Sequence, residues 1–170
     1  MTKDVLLEIG TEEIPAKFMP AALAQLENTA KAKLTELRIS YGEVRAVGTP
    51  RRLAVIVKDV AIAQTDKHSE NKGPSVKIAF GQDGAPTKAA LGFARGQGVD
   101  PAALVVKDEY VYAIVQEQGR PVVELLPSLL TDIINSLSFP KNMRWGDLDM
   151  RFVRPIRWLV AIFGSEVVPF

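Results

Sequence analysis

Leu53-Ala54-Val55-Ile56-Val57 is apolar at every position, and a strand apolar on both parities belongs inside a sheet, covered on two faces, and not at its edge. Its partners should come from nearby sequence. Val44 to Gly48 lies just upstream, across a turn containing Thr49-Pro50, so it is expected to pair with this central strand. Near the start, Val5, Leu7 and Ile9 alternate with Leu6 and Glu8, the period of a strand ending at Gly10. Pro15 and Pro20 bracket a helix start, and Leu23, Leu26, Ala30, Leu34 and Leu37 recur at spacings of three and four. That spacing predicts a helix from Met19 to about Ile39, stopped by Ser40-Tyr41-Gly42.

Further along, Thr65-Asp66-Lys67-His68-Ser69-Glu70-Asn71-Lys72 is polar throughout and reads as a solvated loop. Val76 to Phe80 reads as a short strand, Gly81-Gln82-Asp83-Gly84 as a turn, and Pro86 to Ala94 as a short helix ended by Gly96 and Gly98. Leu104-Val105-Val106 and Tyr110 to Val115 flank Lys107-Asp108-Glu109 in the outline of a hairpin. Leu125, Leu126, Leu129, Leu130, Ile133, Ile134 and Leu137 then form an apolar helical stripe, in which Pro127 implies a late start or a kink. Ile156 to Phe163 is a strand, and after Gly164-Ser165 another begins at Val167. Hairpins dominate over crossover helices. The expected class is therefore α+β, a mostly antiparallel mixed sheet with a few packed helices. Residues 1–170 read as one domain or most of one, and a last strand pattern still running at Phe170 implies a longer parent chain.

The composition fits a folded domain, with 47% hydrophobic and 24% charged residues. The net charge of +1 and a pI near 7.9 do not suggest avid non-specific nucleic-acid binding, which usually goes with a pI above about 9. The absence of cysteine excludes disulfides, a thiol nucleophile and sulfur-ligated metal, and the single histidine, His68, excludes multi-histidine sites. No apolar run approaches the roughly 18 residues of a membrane span, and Met1-Thr2-Lys3-Asp4 leads directly into a strand pattern. A cytoplasmic protein without membrane partners is expected.

Three constellations bear on chemistry. Glu8, Glu12 and Glu13 would serve as an acid/base or cation site, or, for Glu12 and Glu13, simply favour a helix's positive end. Gly92-x-x-x-Gly96-x-Gly98 lacks the Gly-Lys-Ser/Thr ending of a phosphate loop and reads as a helix stop. Between Phe139 and Trp158, Lys141, Arg144, Arg151, Arg154 and Arg157 face only Asp147 and Asp149, a local positive excess in a chain of net charge +1. With Trp145 and Trp158 beside them, these cations suit an RNA surface, or equally a protein interface or internal ion pairs. The same alternatives hold for Arg51-Arg52. Arg151, Arg154 and Arg157 would align on a helix, but Pro155 and the strand pattern that follows put Arg154 on the other side.

Leu6-Leu7-Glu8-Ile9-Gly10-Thr11-Glu12-Glu13-Ile14-Pro15, Gly48-Thr49-Pro50-Arg51-Arg52-Leu53, and Phe139-Pro140-Lys141-Asn142-Met143-Arg144-Trp145-Gly146 followed by Phe152-Val153-Arg154-Pro155-Ile156-Arg157-Trp158-Leu159 occur in this order. Together, and with Lys88 to Arg95, they resemble the N-terminal part of the beta subunit of the bacterial, two-subunit-type glycyl-tRNA synthetases. The resemblance implies a fragment of a longer multidomain chain in a cytoplasmic alpha-two beta-two ligase. It places glycine activation, with ATP and Mg, in the alpha subunit, and implies no catalytic residue, cofactor or metal in this segment. The family's His-Asp pair should lie further along, since His68 is followed by Ser69. The implied partners are the alpha subunit and tRNA(Gly), and the implied role is tRNA positioning, subunit assembly or both. Charge and reach single out Arg51, Arg52, Lys141, Arg144, Arg154 and Arg157 as contacts to either partner. A stand-alone RNA-binding module, or an editing-like hydrolytic domain, is the alternative.

Overall fold

The apolar stretch around Val55 does lie inside a sheet. The computed structural model describes residues 1–81 and 84–170, so the Gly81–Gly84 turn lies partly outside the described residues. In chain order the elements are β1 (Thr2–Thr11), α1 (Met19–Glu36), β2 (Val44–Thr49), β3 (Arg52–Ala61), β4 (Lys67–Ser75), α2 (Val76–Ala79), α3 (Lys88–Gln97), β5 (Val105–Lys107), β6 (Tyr110–Glu117), α4 (Val122–Ser136), β7 (Met143–Arg144), β8 (Arg151–Phe152), β9 (Ile156–Phe163) and β10 (Glu166–Val167). Strand pairing among the described residues is antiparallel throughout, which makes the fold α+β as its sequence implies. The chain divides into two compact units, Met1–Thr65 with Arg120–Phe170, and Asp66–Gly119.

The first unit is built on a five-stranded sheet of order β10-β9-β1-β3-β2. Val5, Leu7 and Ile9 of β1 and Leu53, Val55 and Val57 of β3 point to one face, where α1 and α4 bury their apolar stripes. In α1 those residues are Ala22, Leu26, Ala30 and Leu34, at the i, i+4 spacing of one helix side. The helix ends three residues earlier than its apolar periodicity suggests. Arg38 turns left-handed (φ 55), the Ile39 N–H bonds back to the Leu34 carbonyl at 2.9 Å, and buried Ile39 closes the end. Helix α4 starts at Val122, ahead of Pro127, so the late start implied by that proline does not occur. The missing N–H deprives the carbonyl of Val123, which lies on the exposed side of the helix.

Between Lys3 and Val5 the β1–β3 register slips, so that Lys58 and Asp59 together oppose Asp4. Asp59 takes a positive φ of 53° there. The Asp4 carboxylate staples the bulge by accepting from the Asp59 N–H at 3.1 Å and from the Lys58 ammonium. Lys58, and then the Asp59 N–H, hold the Asp4 carboxyl below the ordinary aspartate range, and hydrogen bonding to Asp4 raises Lys58. The contribution of Asp4 is present above the unfolded aspartate value and lost as pH falls through the lowered native value. That of Lys58 is present below the unfolded lysine value and lost as pH rises through the raised native one. A carboxyl-detected NMR titration should find Asp4 below an unstructured aspartate, and Lys58→Met should remove most of the displacement.

In the second unit the sheet order is β4-β6-β5. The polar run, expected as a solvated loop, forms strand β4 from Lys67 onward, because hydrogen bonding to β6 over Lys67–Ser75 satisfies its backbone. Its side chains alternate as a half-covered strand requires. His68, Glu70 and Lys72 are exposed, whereas Ser69, Asn71 and Gly73 are partly covered. Gly73 lies beneath the Phe93 ring of α3, where a Cβ would sit 2.5 Å from Cε1. Val76–Ala79, expected as a strand, is a helical turn, and only Phe80 makes an isolated bridge, to Pro86. The β5–β6 hairpin forms as expected, with Asp108 and Glu109 both at positive φ (50° and 64°), the conformation of a tight two-residue connection.

Helix α3 runs one residue beyond Gly96, to Gln97, and ends where Gly98 turns left-handed, so Gly98 is its stop and Gly96 lies within the last turn. Nothing lies within 4 Å of a Cβ added at Gly92 or Gly96. Gly92→Ala and Gly96→Ala should therefore each stabilise the protein by about 0.5–1 kcal/mol, read as higher denaturation midpoints.

Candidate functional site

Three of the stretches that carry the family resemblance, residues 6–15, 48–53 and 152–159, meet at one end of the five-stranded sheet. Gly10 of β1 pairs with Arg52 of β3 on one side and Trp158 of β9 on the other. The segments leaving these strands are tied by backbone bonds, from the Thr11 N–H to the Arg51 carbonyl (2.9 Å), the Ile14 N–H to Pro50 (2.7 Å) and the Glu12 N–H to Pro155 (3.1 Å). Three sequence-distant segments thus form one rigid corner.

Its side chains are held by a half-buried carboxylate. Glu8 Oε1 accepts from Trp158 Nε1 at 2.8 Å and lies 3.3 Å from Arg52 Nε. The Arg52 guanidinium stands 5.9 Å from the Trp158 ring centroid, within cation–π range. The indole lies flat across Gly10, where an added Cβ would be 1.9 Å from Trp158 Cε2. Only glycine allows that approach. Arg51 approaches Glu13 at 3.8 Å and Arg157 approaches Glu12 at 3.6 Å, both in the open. Arg154 donates from Nε to the Glu13 carbonyl at 2.9 Å and from Nη1 to that of Val153 at 3.2 Å.

Four of the six cations singled out by charge, Arg51, Arg52, Arg154 and Arg157, are therefore brought together, each with an acceptor of its own. Glu12 and Glu13 lie ahead of the first helical turn, which begins at Ala16. Their partners are arginines. Among the described residues no three metal-ligating side chains converge, and the corner's chemistry is that of a brace between strands. The exposed pairs contribute little stability individually, about 0–1 kcal/mol.

The other two cations lie on the segment that enters the corner. Lys141 is exposed ahead of β7, and Arg144 lies 3.5 Å from Asp149 across the β7–β8 hairpin. Arg144 is also directly opposite Arg151 in the strand register, an unfavourable like-charge pair. The hairpin base is fixed by Trp145 Nε1 donating to the Phe152 carbonyl at 3.0 Å and by the edge-on contact of Phe139 with Phe152, centroids 5.2 Å apart. From Phe152 the chain passes through Arg154 and Pro155 into the corner. The spacing of Arg151, Arg154 and Arg157 thus reflects three settings, β8, the bend and β9.

Sequence reasoning missed the roles of Gly10 and Glu8. The available signal was a glycine closing an alternating strand that also carries a glutamate on the same face, opposite the apolar one. It also missed the open face of the second unit, where Tyr110 and Ile114 of β6 stand beside exposed His68 and Lys72 of β4. There the Lys72 ammonium lies 3.5 Å from the Tyr110 ring centroid.

Residues 5–170 match the family model described as glycyl-tRNA synthetase beta subunit. The chain is 56% identical over 174 aligned residues to the glycine–tRNA ligase beta subunit of Desulfitobacterium hafniense, covering 100% of this chain and 25% of that protein. Identity is 53% to the corresponding subunit of Geotalea uraniireducens and 54% to that of Moorella thermoacetica, with 100% and 99% of this chain and 25% of each relative covered. The chain spans about a quarter of the length of these curated relatives. With residues 5–170 matched by that family model and its whole length aligned with a 56% identical relative, the chain belongs to the glycyl-tRNA synthetase beta subunit family.

Proposed function

We propose that this chain is the non-catalytic N-terminal module of the beta subunit of a cytoplasmic glycine–tRNA ligase and helps to position tRNA(Gly) through its β7–β8 hairpin. In this reading glycine activation with ATP and Mg takes place in the alpha subunit of an alpha-two beta-two enzyme. The observation that carries the tRNA role is the contrast between two sets of cations. Arg51, Arg52 and Arg157 already have glutamates, and Arg154 has backbone carbonyls. On the hairpin, Arg144 and Arg151 face each other with the highly exposed Asp149 as the nearby carboxylate, and Lys141 is exposed beside them. A phosphate placed between such cations relieves their repulsion, and the corner supplies a stiff mount.

A second reading, assembly with the alpha subunit, is favoured by exposed Met143 and Leu148 on the same hairpin, since apolar anchors beside arginine suit a protein interface. One pair of measurements separates the two. The Lys141→Ala/Arg144→Ala variant of the complete enzyme should bind tRNA(Gly) about 10-fold or more weakly, as expected for two lost charge-assisted contacts, while sedimenting as an intact tetramer. Dissociation of the tetramer with unchanged tRNA affinity in the residual complex would favour assembly instead.

A further inference from the structure

The five-stranded sheet has a second face that neither α1 nor α4 covers. Register puts Leu6 of β1, Ala54 and Ile56 of β3, and Val160 and Ile162 of β9 on that side, with Val167 of β10 opposite Ile162. Leu6, Ile56, Val160 and Ile162 belong to neither the buried core nor the side chains packed against it. They line or adjoin a shallow depression of about 280 Å3 between Asp4, Leu6, Ile56, Ile162 and Gly164. A sheet apolar on both faces is normally covered on both.

The edge of this sheet is also incomplete. Strand β10 pairs with Phe163 and Ile162, and the Val168 N–H reaches the Ala161 carbonyl at 2.9 Å. Among the described residues no strand pairs with that side of β9 from Ile156 to Val160. An open apolar edge of this kind is one that folds generally cover. Continuing the β10 register places Pro169 opposite Val160 and Phe170 opposite Leu159. The Val168 bond sets the alternation, so the position of Pro169 directs its absent N–H away from β9, where a strand tolerates proline. Phe170 and Leu159, each 41% exposed, become an apolar cross-strand pair.

We propose that the sequence following Phe170 in the complete beta chain lengthens β10 along the free edge of β9 and packs over Leu6, Ile56, Val160 and Ile162. The relatives provide the occupant, since three quarters of their length lies outside the region matched here. A segment tethered next to the open edge also has a large concentration advantage over any separate chain.

The test uses the complete alpha–beta enzyme with a photo-crosslinking p-benzoylphenylalanine at Val160 or, in a second variant, at the highly exposed Val167. Mixed light and heavy isotope-labelled beta chains distinguish links within one polypeptide from links between copies. Cross-links to beta-chain peptides beyond residue 170 of the same polypeptide are expected at both positions. Links to the alpha subunit, to a second beta chain, or to neither overturn the proposal. In the unsubstituted enzyme, the Leu159 amide, which the alternation directs toward the free edge, should exchange about 100-fold or more slowly than an open amide, and exchange at the open rate also overturns it. Both readouts are independent of tRNA binding, so failure of the hairpin's role in tRNA recognition leaves them unchanged.

Discussion

Gly10→Ala is expected to destabilise the protein by about 1–3 kcal/mol, the range for forcing an extra carbon into a packed site. The new Cβ would lie 1.9 Å from Trp158 Cε2 and 2.1 Å from Cδ2, so the indole must leave β1. With it go the Trp158–Glu8 hydrogen bond at 2.8 Å and the stacking of Arg52. Glu8 then retains Arg52 as its one partner among the contacts described. Because the loss acts through Trp158, Gly10→Ala should cost much less in a Trp158→Ala background, and the two substitutions should be clearly non-additive in a double-mutant cycle. Equal and additive losses, measured by urea denaturation, would show that the indole does not rest on Gly10.

Leu126→Ala should have the largest effect on stability, about 3–5 kcal/mol, the upper part of the range for buried leucine truncations. Leu126 is fully buried in α4 at the point where that helix meets α1 and the sheet. Val5, Ala30, Leu34, Val55, Val57, Leu129, Leu130 and Ile133 already surround a void of about 10 Å3 there. These neighbours come from four elements, and no single shift closes the new cavity. Val123→Ala, one turn away on the exposed side, should stay within about 0.5 kcal/mol of the parent. Similar effects of the two substitutions in chemical denaturation would contradict the packing of α4.

The parts of the fold that could be read in the sequence were those whose own side chains determine them. The period of β1, the apolar run of β3, the stripes of α1 and α4, and the β5–β6 turn residues each specify an element locally. Strand β4 was not legible, because Lys67–Lys72 contains no apolar alternation and becomes a strand through its pairing with β6. The Val76–Ala79 turn was misread because four apolar or long side chains are too few to separate the two periods. The corner was legible in pieces only. Glu8 and Trp158 are 150 residues apart, and nothing local announces that β1 runs between β3 and β9. Charge alone also gave Arg51, Arg52, Arg154 and Arg157 the same weight as Lys141 and Arg144. The acceptors that distinguish them become visible only when the three strands are assembled.

That distinction is most directly tested by the salt dependence of tRNA(Gly) binding to the complete enzyme. Each phosphate contact contributes about 0.7–0.9 to the slope of log affinity against log salt concentration. The hairpin reading predicts that Lys141→Ala/Arg144→Ala flattens the slope by about 1.4–1.8 units, whereas Arg51→Ala/Arg157→Ala leaves it unchanged. An unchanged slope for the hairpin variant, with a flattened one for the corner variant, would contradict the account.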